Sequence, residues 1–116
     1  MNRIDEFRNY RAKMNQVILE ENTLFFKRFF NLDTVTYEHG ALDAKTKEML
    51  GLVASLVLRC DDCVKYHIEK CHQLGVTREQ FFEILAIGNL VGGSIVIPHT
   101  RRAIEYWDLF LLNNQT

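Results

Sequence analysis

The chain has 116 residues, 47% hydrophobic and 25% charged, with 14 basic and 15 acidic residues for a net charge of −1. That is enough sequence for one domain with a real core, which excludes disordered and collagen-like classes, and the balanced charge leaves no overall field to draw nucleic acid or an anionic membrane. The N-terminal MNRIDEFRNYRAK has no signal-peptide apolar stretch, and the longest apolar run, Met49 to Leu58, is too short for a transmembrane helix, so the chain reads as cytoplasmic.

With one proline, six glycines and no linker or repeat, the sequence predicts a single all-α domain over residues 1–116, with N-terminal helices over 1–32. Apolar residues Ile4, Phe7, Tyr10, Met14, Val17 and Ile18 recur at spacings of three and four and predict an amphipathic first helix from Arg3 to Glu21. A shorter second helix is expected over Thr23 to Phe30, and its FFKRFF stretch reads as core, because aromatics at helical spacing usually are. After the loop TVTYEHGALD, Asp43 is a good N-cap for a helix from Ala44 to about Arg59. That helix is apolar nearly all round, which calls for cover on more than one face and makes a homo-oligomer an expectation.

Downstream, Gly75 suits a left-handed helix end, and Thr77 with Gln80 forms a capping-box pattern for the next helix. Phe81, Phe82, Ile84, Leu85, Ile87 and Leu90 continue the expected core up to Gly92 and Gly93. Pro98 then belongs in the first turn of a last helix that shows Ala103, Ile104, Trp107, Phe110 and Leu111 on one face.

Two of the three cysteines lie in RCDDCVKYH, residues 59–67. On a helix, Cys60, Cys63 and His67 fall within a sector about 60° wide, so all three can face one small site. Residues three apart on a helix have Cα atoms within disulfide range, so the two sulfurs could join and part with little backbone movement. Asp61 and Asp62 favour a helix start and suggest Cys60 as N-cap, with a break near Arg59. A hairpin there would bring Glu48 level with the stretch between His67 and Cys71, whereas one continuous helix would leave it ~18 Å from Cys60 along the axis. Helical spacing pairs His67 with Cys63 as base or positive partner, while the N-cap position favours Cys60 as the more acidic thiol.

The arrangement of Glu48, Cys60, Cys63 and His67, E-x11-C-x2-C-x3-H, resembles the AhpD-like branch of the carboxymuconolactone decarboxylase family. The likeness runs from Leu42 to Trp107, through LDAKTKEMLGLVASLVLRCDDCVKYHIEKCHQLGVT and GGSIVIPHTRRA, and implies a family core over 42–112. It implies an all-α, AhpD-like helical bundle assembled into trimers or hexamers. The implied activity is that of an alkylhydroperoxidase-like, peroxiredoxin-type thiol oxidoreductase acting on a hydroperoxide or a disulfide. By the family's pattern Cys63 attacks, Cys60 resolves the sulfenic acid as a disulfide, and Glu48 with His67 relays protons. A dithiol reductant, a lipoyl or thioredoxin-like protein, would reset the pair, and no cofactor or metal is expected. Asp62 departs from peroxidase-active members, which often carry a non-acidic residue there, and a carboxylate beside the thiol should slow peroxide attack. The lactone decarboxylase that names the family typically lacks the cysteine pair, which disfavours that activity here.

Alternative readings stand beside this one. Cys60 and Cys63 could form half of a zinc site with His67 and either Cys71 or His72, although no second half-site follows at a usual spacing. A non-catalytic helical oligomer would use the pair that way or as a redox sensor. Cys71 reads as a packed helix cysteine. His99 is a candidate supporting residue reaching the site from another helix, and so is Asp62, while His39 and His72 read as exposed. Arg101 and Arg102 are too short a basic run to mark a nucleic-acid surface.

Overall fold

The computed structural model describes residues 2–115. Among them are six α-helices, a short 3-10 turn over Ser94–Val96 and no strand, the all-α architecture that the periodicity predicts. The helices are α1 (Arg3–Glu20), α2 (Leu24–Thr36), α3 (Ala44–Val57), α4 (Asp61–Gln73), α5 (Arg78–Gly92) and α6 (Ile97–Gln115). The chain divides into two compact units, residues 1–38 and 39–116. No helix among the described residues is long and apolar enough to cross a membrane.

In the first unit the Asn2 side chain accepts the Asp5 N–H at 2.9 Å and starts α1. Asn22 at φ 59°, a conformation that asparagine tolerates better than most residues, turns the chain into α2. Helix α2 outruns the expected end at Phe30 and takes in Thr34, Val35 and Thr36. The hydroxyls of Thr34 and Thr36 fold back onto the Phe30 and Leu32 carbonyls, at 3.1 and 2.6 Å, which suits these β-branched residues to a last helical turn. The expectation that FFKRFF forms core does not hold, because no α2 residue is buried and Phe25 and Phe29 are 62% and 53% exposed. Their rings stack instead on one another, with centroids 5.8 Å apart. Two helices alone offer too little surface to cover an aromatic face of this size.

In the second unit α3 packs on α4 and α5, and α4 packs on α6. Leu52 and Leu56 of α3, Ile68 of α4 and Phe81 of α5 are completely buried. Each such side chain contributes about 1.5–3 kcal/mol relative to exposure. The Phe81 and Trp107 rings stack at 4.3 Å and join α5 to α6. Gly88 lets α5 lie close on α3, since a Cβ there would come 2.6 Å from Leu56 Cδ2. The sequence-predicted caps are present: Asp43 accepts from Thr46 N–H, Thr77 and Gln80 form a reciprocal capping box, and Pro98 lies in the first turn of α6. Phe82, Ile87 and Leu90, expected in the core, are exposed on the outer side of α5, while Phe81, Ile84 and Leu85 fill the inner side.

Candidate active site

The site begins where α3 ends. Arg59 takes a left-handed backbone at φ 61°, its N–H donates to the Leu56 carbonyl, and the Cys60 N–H donates to the Ser55 carbonyl, both at 3.0 Å. This pair of bonds is a Schellman closure, a turn that usually has glycine where Arg59 stands. It ends α3 at Val57, two residues before the expected end, and leaves Cys60 extended as the N-cap of α4.

Cys60 and Cys63 are joined by a disulfide, with Cα atoms 5.3 Å apart. Across the same turn the Cys63 N–H donates to Cys60 Sγ at 3.2 Å, so the sulfur itself caps the helix. Cys63 is exposed and Cys60 half-buried. One turn further on, the hairpin brings His67 against α3, where its Nδ1 donates to Glu48 Oε2 at 2.9 Å. Both partners are nearly sealed from solvent, Glu48 at 4% and His67 at 7% exposure. With the carboxylate ionised, this bond fixes the ring proton on Nδ1 and leaves Nε2 as the basic nitrogen. The hairpin inferred from the Cys60 cap thus unites Glu48 with His67 across nineteen residues of sequence.

His99 comes in from α6 and meets Asp61, the residue after Cys60, through Nδ1 to Oδ1 at 2.8 Å. Arg102 Nε donates to the other oxygen, Asp61 Oδ2, at 2.9 Å. Partial burial works to raise the Asp61 carboxyl, but the His99 hydrogen bond and the Arg102 charge outweigh it and hold the group below its ordinary value. In the sequence Arg102 stands out only as part of a short basic run with Arg101. Its three-residue spacing from His99, which puts both on one face of α6, was the available signal. Asp62 is exposed and has no ion-pair partner among the described residues.

Cys71 is fully buried, and burial together with the Glu48 charge pushes its thiol up to about 12, so it remains a packed, protonated cysteine. His72, expected to be exposed, is half-buried. Its ring lies edge-on to Trp107 at 5.5 Å and Phe110 at 4.8 Å, and burial lowers its pKa. Among the described residues no three histidine, cysteine or acidic side chains converge as a metal-binding group.

A crystal structure from Thermotoga maritima superposes with a TM-score of 0.92 at 50% identity, covering 95% of this chain and 96% of that one. A second Thermotoga structure gives 0.90 at 49% identity, covering 95% and 93%. It is described as a carboxymuconolactone decarboxylase family protein for which a part in an antioxidative response has been suggested. A family member from Legionella pneumophila, at 23% identity and a TM-score of 0.86, covers 95% of this chain and 98% of that one and shares the fold. An uncharacterised Cupriavidus necator protein is 34% identical over 71 residues, 61% of this chain and 63% of that protein's length. An uncharacterised protein of the cox locus of Paracoccus denitrificans is 26% identical over 80 residues, 69% of this chain and 72% of that one. Residues 23–106 match the carboxymuconolactone decarboxylase family, and the chain belongs to it.

Proposed function

We propose that this protein is an AhpD-like thiol oxidoreductase that reduces hydroperoxides or disulfides by cycling Cys60 and Cys63 between dithiol and disulfide. The reading is carried by one coincidence: a cysteine pair joined at the start of α4, on the same helical hairpin as a buried Glu48–His67 bond. The antioxidative role suggested for the Thermotoga relative supports it.

In the oxidative half, the Cys63 thiolate attacks the outer peroxide oxygen. The O–O bond breaks, the alcohol leaves with a proton, and Cys63 becomes a sulfenic acid. Cys60 sulfur then attacks Cys63 sulfur, forming the disulfide and releasing water. His67 sits one turn after Cys63 on its side of α4, and its Nε2 is the base that takes the thiol proton, directly or through water. Glu48 orients the ring and stabilises the imidazolium that forms. A dithiol donor, such as a lipoyl or thioredoxin-like protein, supplies the two electrons that restore the thiols. The adjacent Asp62 carboxylate disfavours the Cys63 thiolate, which suits a slow peroxidase or a disulfide substrate. We place this chemistry in a homo-oligomer, the trimer or hexamer that the family resemblance implies, because Leu58, the C-cap of α3, and Leu90 of α5 are 77% and 85% exposed and need cover.

The test is peroxide consumption with alternative dithiol donors, on wild type and each serine variant. Cys63→Ser should lose at least ~100-fold in turnover, since the remaining Cys60 has no partner with which to close the disulfide that completes the cycle. A Cys63→Ser protein that consumes peroxide as fast as wild type refutes the assignment.

A further inference from the structure

The two sulfurs differ in their surroundings, and the difference gives the reductive half a direction. Cys60 Sγ accepts the Cys63 N–H at 3.2 Å as the cap of α4, so negative charge arriving on this sulfur meets a backbone donor and the positive end of the helix. The carboxylate next to it, Asp61, is engaged by His99 and Arg102 at 2.8 and 2.9 Å. The carboxylate next to Cys63 is Asp62, exposed and without an ion-pair partner among the described residues. Cys63 is also the more accessible residue of the two, exposed where Cys60 is half-buried.

Resting on the thiol-oxidoreductase reading above, we propose that the reducing thiol attacks Cys63 and that Cys60 departs as the thiolate. The donor thiolate forms a bond to Cys63 Sγ, the Cys60–Cys63 bond breaks, and its electron pair stays on Cys60 Sγ, held by the Cys63 N–H. The donor's second thiol loses its proton to the Cys60 thiolate or to solvent and attacks its own sulfur in the mixed disulfide. That breaks the donor–Cys63 bond, releases Cys63 as a thiolate and leaves the donor as a disulfide. Thiol exchange is faster when the leaving thiol is the more acidic one, which favours this order over its reverse. In the oxidative half the same capped thiolate is ready to attack the Cys63 sulfenic acid. His99 and Arg102 act here as positioning residues, because they compensate the charge of Asp61 without touching substrate.

The test uses oxidised full-length protein and a monothiol, 2-mercaptoethanol, with acid quenching, alkylation and peptide mass spectrometry. The mixed disulfide should lie on Cys63 at least ~3-fold more often than on Cys60, the ratio that a thiol acidity difference of about one pH unit gives with a Brønsted coefficient of about 0.5. Ultraviolet thiolate titration supplies the second arm: Cys60 in Cys63→Ser should ionise about one pH unit below Cys63 in Cys60→Ser, and Arg102→Gln added to Cys63→Ser should narrow that gap. Adducts found equally on both cysteines, or mainly on Cys60, overturn the inference, as does a Cys63 that ionises first. Neither arm uses peroxide, so a protein inactive on peroxide whose adduct sits on Cys63 would reject the peroxidase reading and keep this one.

Discussion

Helix α4 is bounded by two Schellman turns that differ in one residue type. At its far end the left-handed position holds Gly75, at φ 85°, with the Gly75 and Val76 N–H groups closing onto His72 and Cys71 carbonyls. At its near end the same position holds Arg59, at φ 61°, a conformation that costs a side-chain-bearing residue about 1–2 kcal/mol. The relaxed turn leads only to the next helix, whereas the strained one sets Cys60 as cap and begins the candidate site. Non-glycine residues held in such conformations concentrate at functional sites, where the surrounding structure over-determines them. Here the hairpin supplies that constraint through the α3–α4 packing and the buried Glu48–His67 bond.

The largest effect should come from removing that bond. Glu48→Ala removes the carboxylate from a buried charged hydrogen bond and should lower unfolding free energy by about 3 kcal/mol in urea titrations. Glu48→Gln retains an acceptor and should fold nearly as well, yet lose at least ~10-fold in turnover because it cannot stabilise an imidazolium. Equal activity of Glu48→Gln and wild type would reduce Glu48 to a purely structural residue. At the relaxed turn, Gly75→Ala should destabilise by about 1 kcal/mol from backbone strain alone, as no atom lies within 4 Å of the added Cβ. At the strained turn, Arg59→Gly should stabilise by about 0.5 kcal/mol, the released strain being partly offset by a more flexible unfolded chain. If both substitutions change stability in the same direction, the contrast between the turns is wrong.

The smallest effect is a pH dependence at the relaxed end. Burial of His72 against Trp107 and Phe110 lowers its pKa in the folded state, so the unfolded chain takes up this proton first as pH falls. The contribution is therefore fully present above the unfolded value of roughly 6.5 and is lost as pH drops through the folded one. Stability measured between pH 7 and pH 5 should decline less steeply in His72→Gln than in wild type.

What could be read from the sequence follows the range of the forces involved. Local signals were legible: Asp43, Cys60, Thr77 with Gln80, and Gly75 each act on backbone groups within four residues, and each stands where its chemistry demands. The Glu48–His67 meeting was legible because one local inference, a break at Arg59, folds the two helices together. Arg59 itself carries no glycine-like signal, so the sequence locates the break but not the Schellman closure that ends α3 at Val57. The Asp61–His99–Arg102 cluster joins residues 38 and 41 positions apart, whose approach is set by how α6 packs on α4 and not by any local pattern. Exposure of the α2 phenylalanines was illegible for the same reason, since periodicity gives an apolar face but not what covers it.

The proposed cysteine cycle is checked most sharply by the redox state of Cys60 and Cys63 after fully reduced protein meets one equivalent of hydroperoxide, read by alkylation and peptide mass. Cys60 and Cys63 should both escape alkylation and appear as one linked peptide that a dithiol reopens, with Cys71 still a thiol. Recovery of Cys60 and Cys63 as alkylated free thiols, with the peroxide unconsumed, would contradict it.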